Sequence, residues 1–348
     1  MNENDVFDVT IIGGGPAGLY SAFYSGLRGM KTKIIEFQPE LGGKVHAYPE
    51  KMIWDVGGQP PILGEKFIDQ IVQQGLTFHP EVVLNEKVTS ISKSGELFVL
   101  NPDSDKVHYS KTVIVAVGSG ILKPQKLAIE GAEKYEVSNL HYTVKSLQMF
   151  KDKTVFISGG GNAALDWAVE LQMVAKEVFL VHRKDQFTAH EAQVNQIINS
   201  SVQCYMNSTI SKLLSDESHQ KIEMIEINHL QSNEKKIYNL DELVISHGYE
   251  QDSSLLKNSQ LEIEMLNGVY IAGNVTSESS VPGLYAAGDI LHHEGKVHLI
   301  AGAFQDAANA VNKAKQYIQP EAEAHAMVSS HNEIFKEKNR ELVKKMVR

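Results

Sequence analysis

Two stretches of this chain repeat one hydrophobic grammar. Val6 to Gly13 is a largely apolar run that ends in glycine, Pro16 to Gly29 carries apolar and small residues at helical period, and Thr32 to Phe37 reads as a second strand. Strand-length runs without alternation belong to parallel strands covered on both faces, so the pattern predicts a βαβ unit. The same order returns at Lys153 to Gly159, Asn162 to Lys176 and Glu177 to Arg183.

Between the two units Glu86 to Ile91, Leu97 to Asn101 and Thr112 to Val117 read as strands, and after them Val202 to Leu214, Lys221 to His229 and Glu242 to Ser246 do so. Leu284 to Gly288 is a further short strand, Leu299 to Ile318 a helix, and a polar, lysine-rich tail follows Pro320. The predicted class is α/β, with two Rossmann-like nucleotide-binding domains of three-layer ββα type. With 348 residues, 42% of them apolar, the chain can fill two cores. Glycine-containing crossings near Gly118 to Gly120 and near His247-Gly248 divide it into a first domain of residues 1–118 and 248–348 and an inserted domain of residues 119–247.

Charge narrows the partners. A formal net charge of −10 argues against a nucleic-acid or membrane-surface binder, since both partners are polyanions. No apolar run approaches the roughly 20 residues of a membrane span, and the acidic start, Met1 to Asp8, lacks a signal-peptide pattern, so a cytoplasmic protein is expected. Cys204 is the only cysteine, which excludes an intramolecular disulfide, a C-x-x-C redox pair and a cysteine-rich metal site. It reads as a small buried hydrophobe, and no metal site is expected.

The candidate chemistry lies in the two glycine loops. Gly13, Gly15 and Gly18 in GGGPAG fit G-x-G-x-x-G at a strand-to-helix junction. There the first glycine makes the turn, the second admits a pyrophosphate and the third lets helix and strand close up. Pro16 and Ala17 complete the loop, and Glu36 ends the second strand where a carboxylate accepts from a ribose diol. The second loop, GGGNAA, offers Gly159, Gly161, Asn162, Ala163 and the alanine variant of the third position, Ala164. Its second strand ends not in an acid but in His182, Arg183 and Lys184, cations that suit a 2′-phosphate and so favour NADP(H) over NAD(H).

GGGPAG with Glu36, then Gly42-Gly43-Lys44, AVGSG at Ala116 to Gly120, GGGNAA with HRK, and GLYAAGD ending at Asp289 follow one another in an order that resembles the thioredoxin-reductase-like branch of flavin disulfide reductases. Disulfide-reducing members carry C-x-x-C just before the second glycine loop, whereas Ser138 to Phe150 here contains no cysteine. The pattern is therefore most similar to the ferredoxin-NADP+ reductases of the thioredoxin-reductase-like type.

That resemblance implies FAD in the first domain, NADP(H) in the inserted one, and a homodimer. It places Gly288 and Asp289 on the flavin ribityl chain, Tyr48 on one face of the isoalloxazine, and a ring from the partner's C-terminal tail on the other. His331 is the match for that ring, with His325 and Phe335 as substitutes, and Ser330 beside it. Gly43, Lys44, the backbone at Val88, and Leu122 match further FAD contacts, and Trp54 is expected to pack near the flavin.

The implied activity is hydride transfer from NADPH to FAD and release of single electrons to ferredoxin or flavodoxin; from its position alone, the helix from Leu299 is expected to direct its N-terminus at the flavin. An acidic carrier requires a local basic surface, for which Arg28, Lys31 and Lys33, or the tail from Lys336 to Arg348, are candidates. Two other readings stay open: an NADPH-dependent flavin reductase of a small disulfide, quinone or oxygen, and a flavin redox sensor.

Overall fold

In a computed structural model, residues 6–104, 106–119 and 121–347 are described, except for the side chains of Ile121, Leu122 and Gln251. The chain divides into two compact units. One holds the described residues up to His46, Met52–Ile121 and the described residues from Gln251 onward; the other holds Ala47–Lys51 and Leu122–Glu250.

The first unit begins with β1 (Val6–Ile12), α1 (Pro16–Leu27) and β2 (Thr32–Ile35), the two strands running parallel from Val9 opposite Thr32 to Ile12 opposite Ile35. Proline opens α1 at a position whose N–H has no helical acceptor. The helix closes before Gly29, which turns left-handed at φ +67° while Met30 N–H bonds back to the Ser25 carbonyl. Next come α2 (Gly64–Gly75), packed on α1, then β3 (Glu81–Val83), the hairpin β4 (Val88–Ser94) and β5 (Leu97–Pro102), and β6 (His108–Val115). The sheet order is β3-β2-β1-β6-β5-β4.

In the second unit β7 (Leu140–His141), β8 (Thr154–Gly159), α3 (Asn162–Leu171), β9 (Glu177–Val181), α4 (Glu191–Ile198) and β10 (Gln203–Tyr205) are followed by β11 (Ser208–Ser215), β12 (Ile222–His229), β13 (Lys235–Asn239) and β14 (Glu242–Ser246). A parallel sheet of order β7-β14-β8-β9-β10 stands beside an antiparallel meander β11-β12-β13. The apolar centre of β8, Val155 to Ile157, follows from this layering. Val155 and Ile157 join Ala164, Leu165, Ala168 and Leu171 of α3 in one core, and Phe156 points the other way, into a core shared with Ile225 and Ile227 of the meander. The stretch Val202 to Leu214, which reads as one strand, is split at Asn207, whose left-handed φ of +49° turns the chain from one sheet to the other.

The chain then returns to the first unit. β15 (Leu284–Ala286) runs parallel to β6 along Val113 to Val115, while β5 pairs antiparallel with His108 to Ser110, so β6 divides one edge between two partners. α5 (Ile300–Ile318) packs against α1, and the tail, which the sequence shows only as polar, forms the exposed helix α6 (Lys336–Met346). Among the described residues no helix is long and apolar enough to cross a membrane.

Candidate functional site

The first glycine loop is shaped by contacts that leave no room for a side chain at two of its three glycines. Gly13 adopts φ +108°, and a Cβ there would lie 2.4 Å from the Ala116 carbonyl oxygen; one on Gly18 would lie 1.8 Å from the Gly13 oxygen. These close approaches seat α1 on the end of β1. Gly15 differs. It caps α1 in an extended conformation that any residue adopts, and its Cβ would meet nothing nearer than Gly43 Cα at 3.6 Å. No side chain caps the helix, so its first-turn donors face an open backbone cradle.

Glu36, 6% exposed, braces this cradle from the end of β2: one carboxylate oxygen accepts the Gly14 N–H at 2.5 Å and the other the Gln38 N–H at 2.8 Å. Gly43, at φ +64°, approaches Gly15 so closely that its Cβ would lie 2.7 Å from Gly15 Cα, while Lys44 is exposed. Gly288, at φ +79°, fits between the first turns of α1 and α5, where its Cβ would lie 3.0 Å from Ala17 Cβ and 3.8 Å from Ala303 Cβ. Asp289 follows it, half-buried, with His298 Nδ1 at 3.9 Å. The first turn of α5 carries neither a side-chain cap nor an acid. Gly13, Gly15, Gly18, Glu36, Gly43 and Gly288 are thus brought together in one unit, around backbone donors and a space that fit the pyrophosphate of a dinucleotide.

Val88 is buried in the first unit's core; Leu122 falls on the strand Ile121–Pro124, its side chain outside the described residues. Tyr48 belongs to the second unit, half-buried against the core of Val144, Phe150 and Leu165; its segment is tied there by Thr143 Oγ1 donating to the Ala47 carbonyl at 2.5 Å and Leu147 N–H donating to Glu50 at 2.6 Å. Ser330, His331 and His325 are exposed on the tail. Phe335 instead anchors the tail on its own unit, with its ring 5.5 Å from Phe78 and 6.5 Å from Phe23. Trp54, expected to pack, is 73% exposed.

The second loop repeats the first with one change. A Cβ on Gly159 would lie 2.4 Å from the Ser246 oxygen, whereas one on Gly161, the extended cap of α3, would touch nothing within 4 Å. α3 likewise starts without a side-chain cap, with Asn162 and Ala163 exposed and Ala164 buried. The segment after β9 folds back on the loop: Thr188 N–H donates to the Gly160 carbonyl at 2.7 Å, and His190 N–H to Asn162 Oδ1 at 2.9 Å.

His182 is 7% exposed and lies so close beneath Gly160 that a Cβ there would be 2.1 Å from its Nδ1; Nε2–H donates to the Gln186 carbonyl at 3.0 Å. Burial holds its pKa below the usual histidine range, so it is neutral at pH 7 and shapes the loop, whereas Arg183 and Lys184 are exposed and cationic. The sequence shows the three side by side but not that the first turns inward.

The profile of the pyridine nucleotide-disulphide oxidoreductase family matches residues 7–314. The chain belongs to this family. Within it the chain is 67% identical, over 99% of both chains, to ferredoxin–NADP reductase 1 of Bacillus licheniformis, and 65% identical, over 100% of this chain and 99% of the other, to ferredoxin–NADP reductase 2 of Exiguobacterium sibiricum. Its fold is similar to that of Lactococcus lactis thioredoxin reductase in the FR conformation, with a TM-score of 0.73 at 23% identity over 90% of this chain and 99% of that one. It is similar also to the bacillithiol disulfide reductase Bdr of Staphylococcus aureus, at 0.68 and 18% over 91% and 100%.

Against that family background the single cysteine is informative. Cys204 is exposed on β10, not buried as expected, and there is no second cysteine with which it could form an intramolecular dithiol-disulfide pair. The expected basic surface near α1 is largely used up internally. Lys33 is 4% exposed and bonds Glu81 and His108 at 3.0 and 3.1 Å, and Arg28 bonds Asn312 and the Glu323 carbonyl, each at 2.6 Å.

Proposed function

We propose that this chain is a ferredoxin–NADP reductase that holds FAD at the Gly13–Gly18 loop and NADP(H) at the Gly159–Ala164 loop. The observation that carries this reading is the contrast between two uncapped glycine loops, one braced by a carboxylate, Glu36, and the other followed by exposed Arg183 and Lys184. The activity named for the Bacillus licheniformis relative extends to this chain, which matches it from end to end. FAD, when bound, supplies the chemistry: it takes two electrons as hydride from NADPH and gives them up singly.

The protein's part is to bind, orient and exclude. Gly15 gives the backbone room to approach a pyrophosphate, the first turn of α1 offers N–H donors to it, and Asp289 presents a carboxylate to the ribityl hydroxyls. In this reading FAD occupies residues 1–118 and 248–348, and residues 119–247 hold NADP(H). Tyr48 and His331 remain the rings assigned to the flavin, and the active form is a cytoplasmic homodimer. With Lys33 and Arg28 engaged inside the chain, the docking surface for an acidic carrier is the tail helix α6, with Lys338, Arg340, Lys344 and Lys345 exposed.

The test is NADPH oxidation with cytochrome c as final acceptor, with and without ferredoxin or flavodoxin. Saturable stimulation by the carrier is expected. Equal rates without it favour a small-molecule reductase, and slow flavin reduction under all conditions favours a sensor.

A further inference from the structure

Behind the Gly288–Asp289 turn the chain places a buried ion pair. Asp306, 6% exposed on α5, accepts the Gly288 N–H on Oδ2 at 3.0 Å. The Lys296 ammonium, on a side chain 3% exposed, donates to the same oxygen. His293 Nε2 stands 4.0 Å from the other oxygen, and the Asp306 carbonyl accepts from Ser277 Oγ at 2.9 Å. The loop that delivers Lys296 closes on the first turn of α5 at Gly302, whose Cβ would lie 2.2 Å from the Val297 oxygen.

Burying two charges is costly, and an apolar pair of similar volume often packs as well, so such a pair at this position calls for a role beyond stability. Its geometry supplies one. Gly288 stands in the left-handed region at φ +79°, and the direction of its N–H fixes the plane of the Ala287–Gly288 peptide, from which the chain turns into Asp289. A carboxylate accepting that N–H, itself pinned by an ammonium, fixes the turn from behind.

We propose that Asp306 and Lys296 are positioning residues for FAD: Asp306 holds the Gly288–Asp289 turn so that Asp289 faces the cofactor, and Lys296 supplies the counter-charge that holds Asp306 in place. The proposal rests on the reading of Asp289 as an FAD ligand.

The experiment titrates FAD into the full-length apoprotein and follows quenching of flavin fluorescence, with thermal melting and NADP+ binding as checks of folding. Lys296→Met with Asp306→Leu removes both charges and the acceptor; Lys296→Met with Asp306→Asn removes the charges and keeps an acceptor for Gly288. The leucine pair is expected to raise the FAD Kd about ten-fold or more, and the asparagine pair to stay within about three-fold of wild type.

Asp289→Ala then separates positioning from structure. It should weaken FAD in the wild-type background but add less than about two-fold to the leucine pair, because residues acting through one another are not additive. If the leucine pair fails to fold, Lys296→Met with Asp306→Ala takes its place and is judged by the same criteria. Wild-type affinity in the acceptor-free variant, or an equal cost of Asp289→Ala in both backgrounds, overturns the proposal. Asp289→Ala without any effect removes the reading of Asp289 beneath it.

Discussion

Alanine at position 15 separates the cost of crowding a ligand from the cost of crowding the fold. At Gly15 the added methyl meets nothing nearer than 3.6 Å, and the backbone, at φ −79° and ψ −172°, suits alanine. Two small effects on stability oppose each other: alanine is a poorer N-cap than glycine by about 1 kcal/mol, and it removes about 0.4–1 kcal/mol of unfolded-chain freedom. The net lies within about 1 kcal/mol, or about 2–4 °C in Tm.

The methyl nevertheless points from the backbone that a pyrophosphate must approach, so Gly15→Ala should raise the FAD Kd about ten-fold or more, equivalent to about 1.4 kcal/mol. Gly18→Ala is the contrast. Its Cβ would lie 1.8 Å from the Gly13 oxygen, so α1 must shift, costing about 1–3 kcal/mol of stability together with FAD affinity. Melting of the apoproteins and fluorescence titration with FAD read both quantities. Gly15→Ala that melts as wild type but binds FAD within two-fold of wild type would show that the backbone at Gly15 is not where the pyrophosphate rests.

Neutralising Arg183 and Lys184 to glutamine should raise KM for NADPH about ten-fold or more and leave KM for NADH nearly unchanged, as steady-state assays with both nucleotides would show. Gly161→Ala, with nothing within 4 Å, should weaken NADP+ binding measured by calorimetry without lowering Tm. Burial holds the pKa of His108 below 6.5, so the unfolded chain takes up a proton that the folded one does not, and stability falls as pH drops through 6.5; His108→Gln should flatten that part of the Tm-against-pH curve. Phe335→Ala removes the ring that rests on Phe23 and Phe78, and limited trypsin digestion should release the tail faster than in wild type.

The βαβ units were legible because a strand covered on both faces must be largely apolar: β1 and β8 differ from their expected bounds by a residue at most. Ends set by backbone handedness were less so. Asn207 in αL breaks an apolar-rich stretch into strands of two sheets, which its hydrophobic pattern alone does not reveal. Among site residues, the glycine spacing marked the two strand-to-helix loops, where Gly13, Gly18 and Gly159 answer to local steric demands. Side-chain direction did not follow: His182 turns under Gly160 while Arg183 and Lys184 face solvent, and Lys33, which reads as a surface cation, is buried between Glu81 and His108. Asp306 and Lys296 carry no sequence signal, because their pairing depends on how the loop before α5 closes on that helix.

In the proposed reaction NADPH reduces a flavin held by this chain. Mixing the purified, FAD-loaded protein anaerobically with NADPH or NADH and following the flavin absorbance tests it most directly. Rapid bleaching by NADPH is expected, at least about ten-fold faster than by NADH, with the difference lost when Arg183 and Lys184 are neutralised. Failure to retain FAD, or equal bleaching by the two nucleotides, would contradict it.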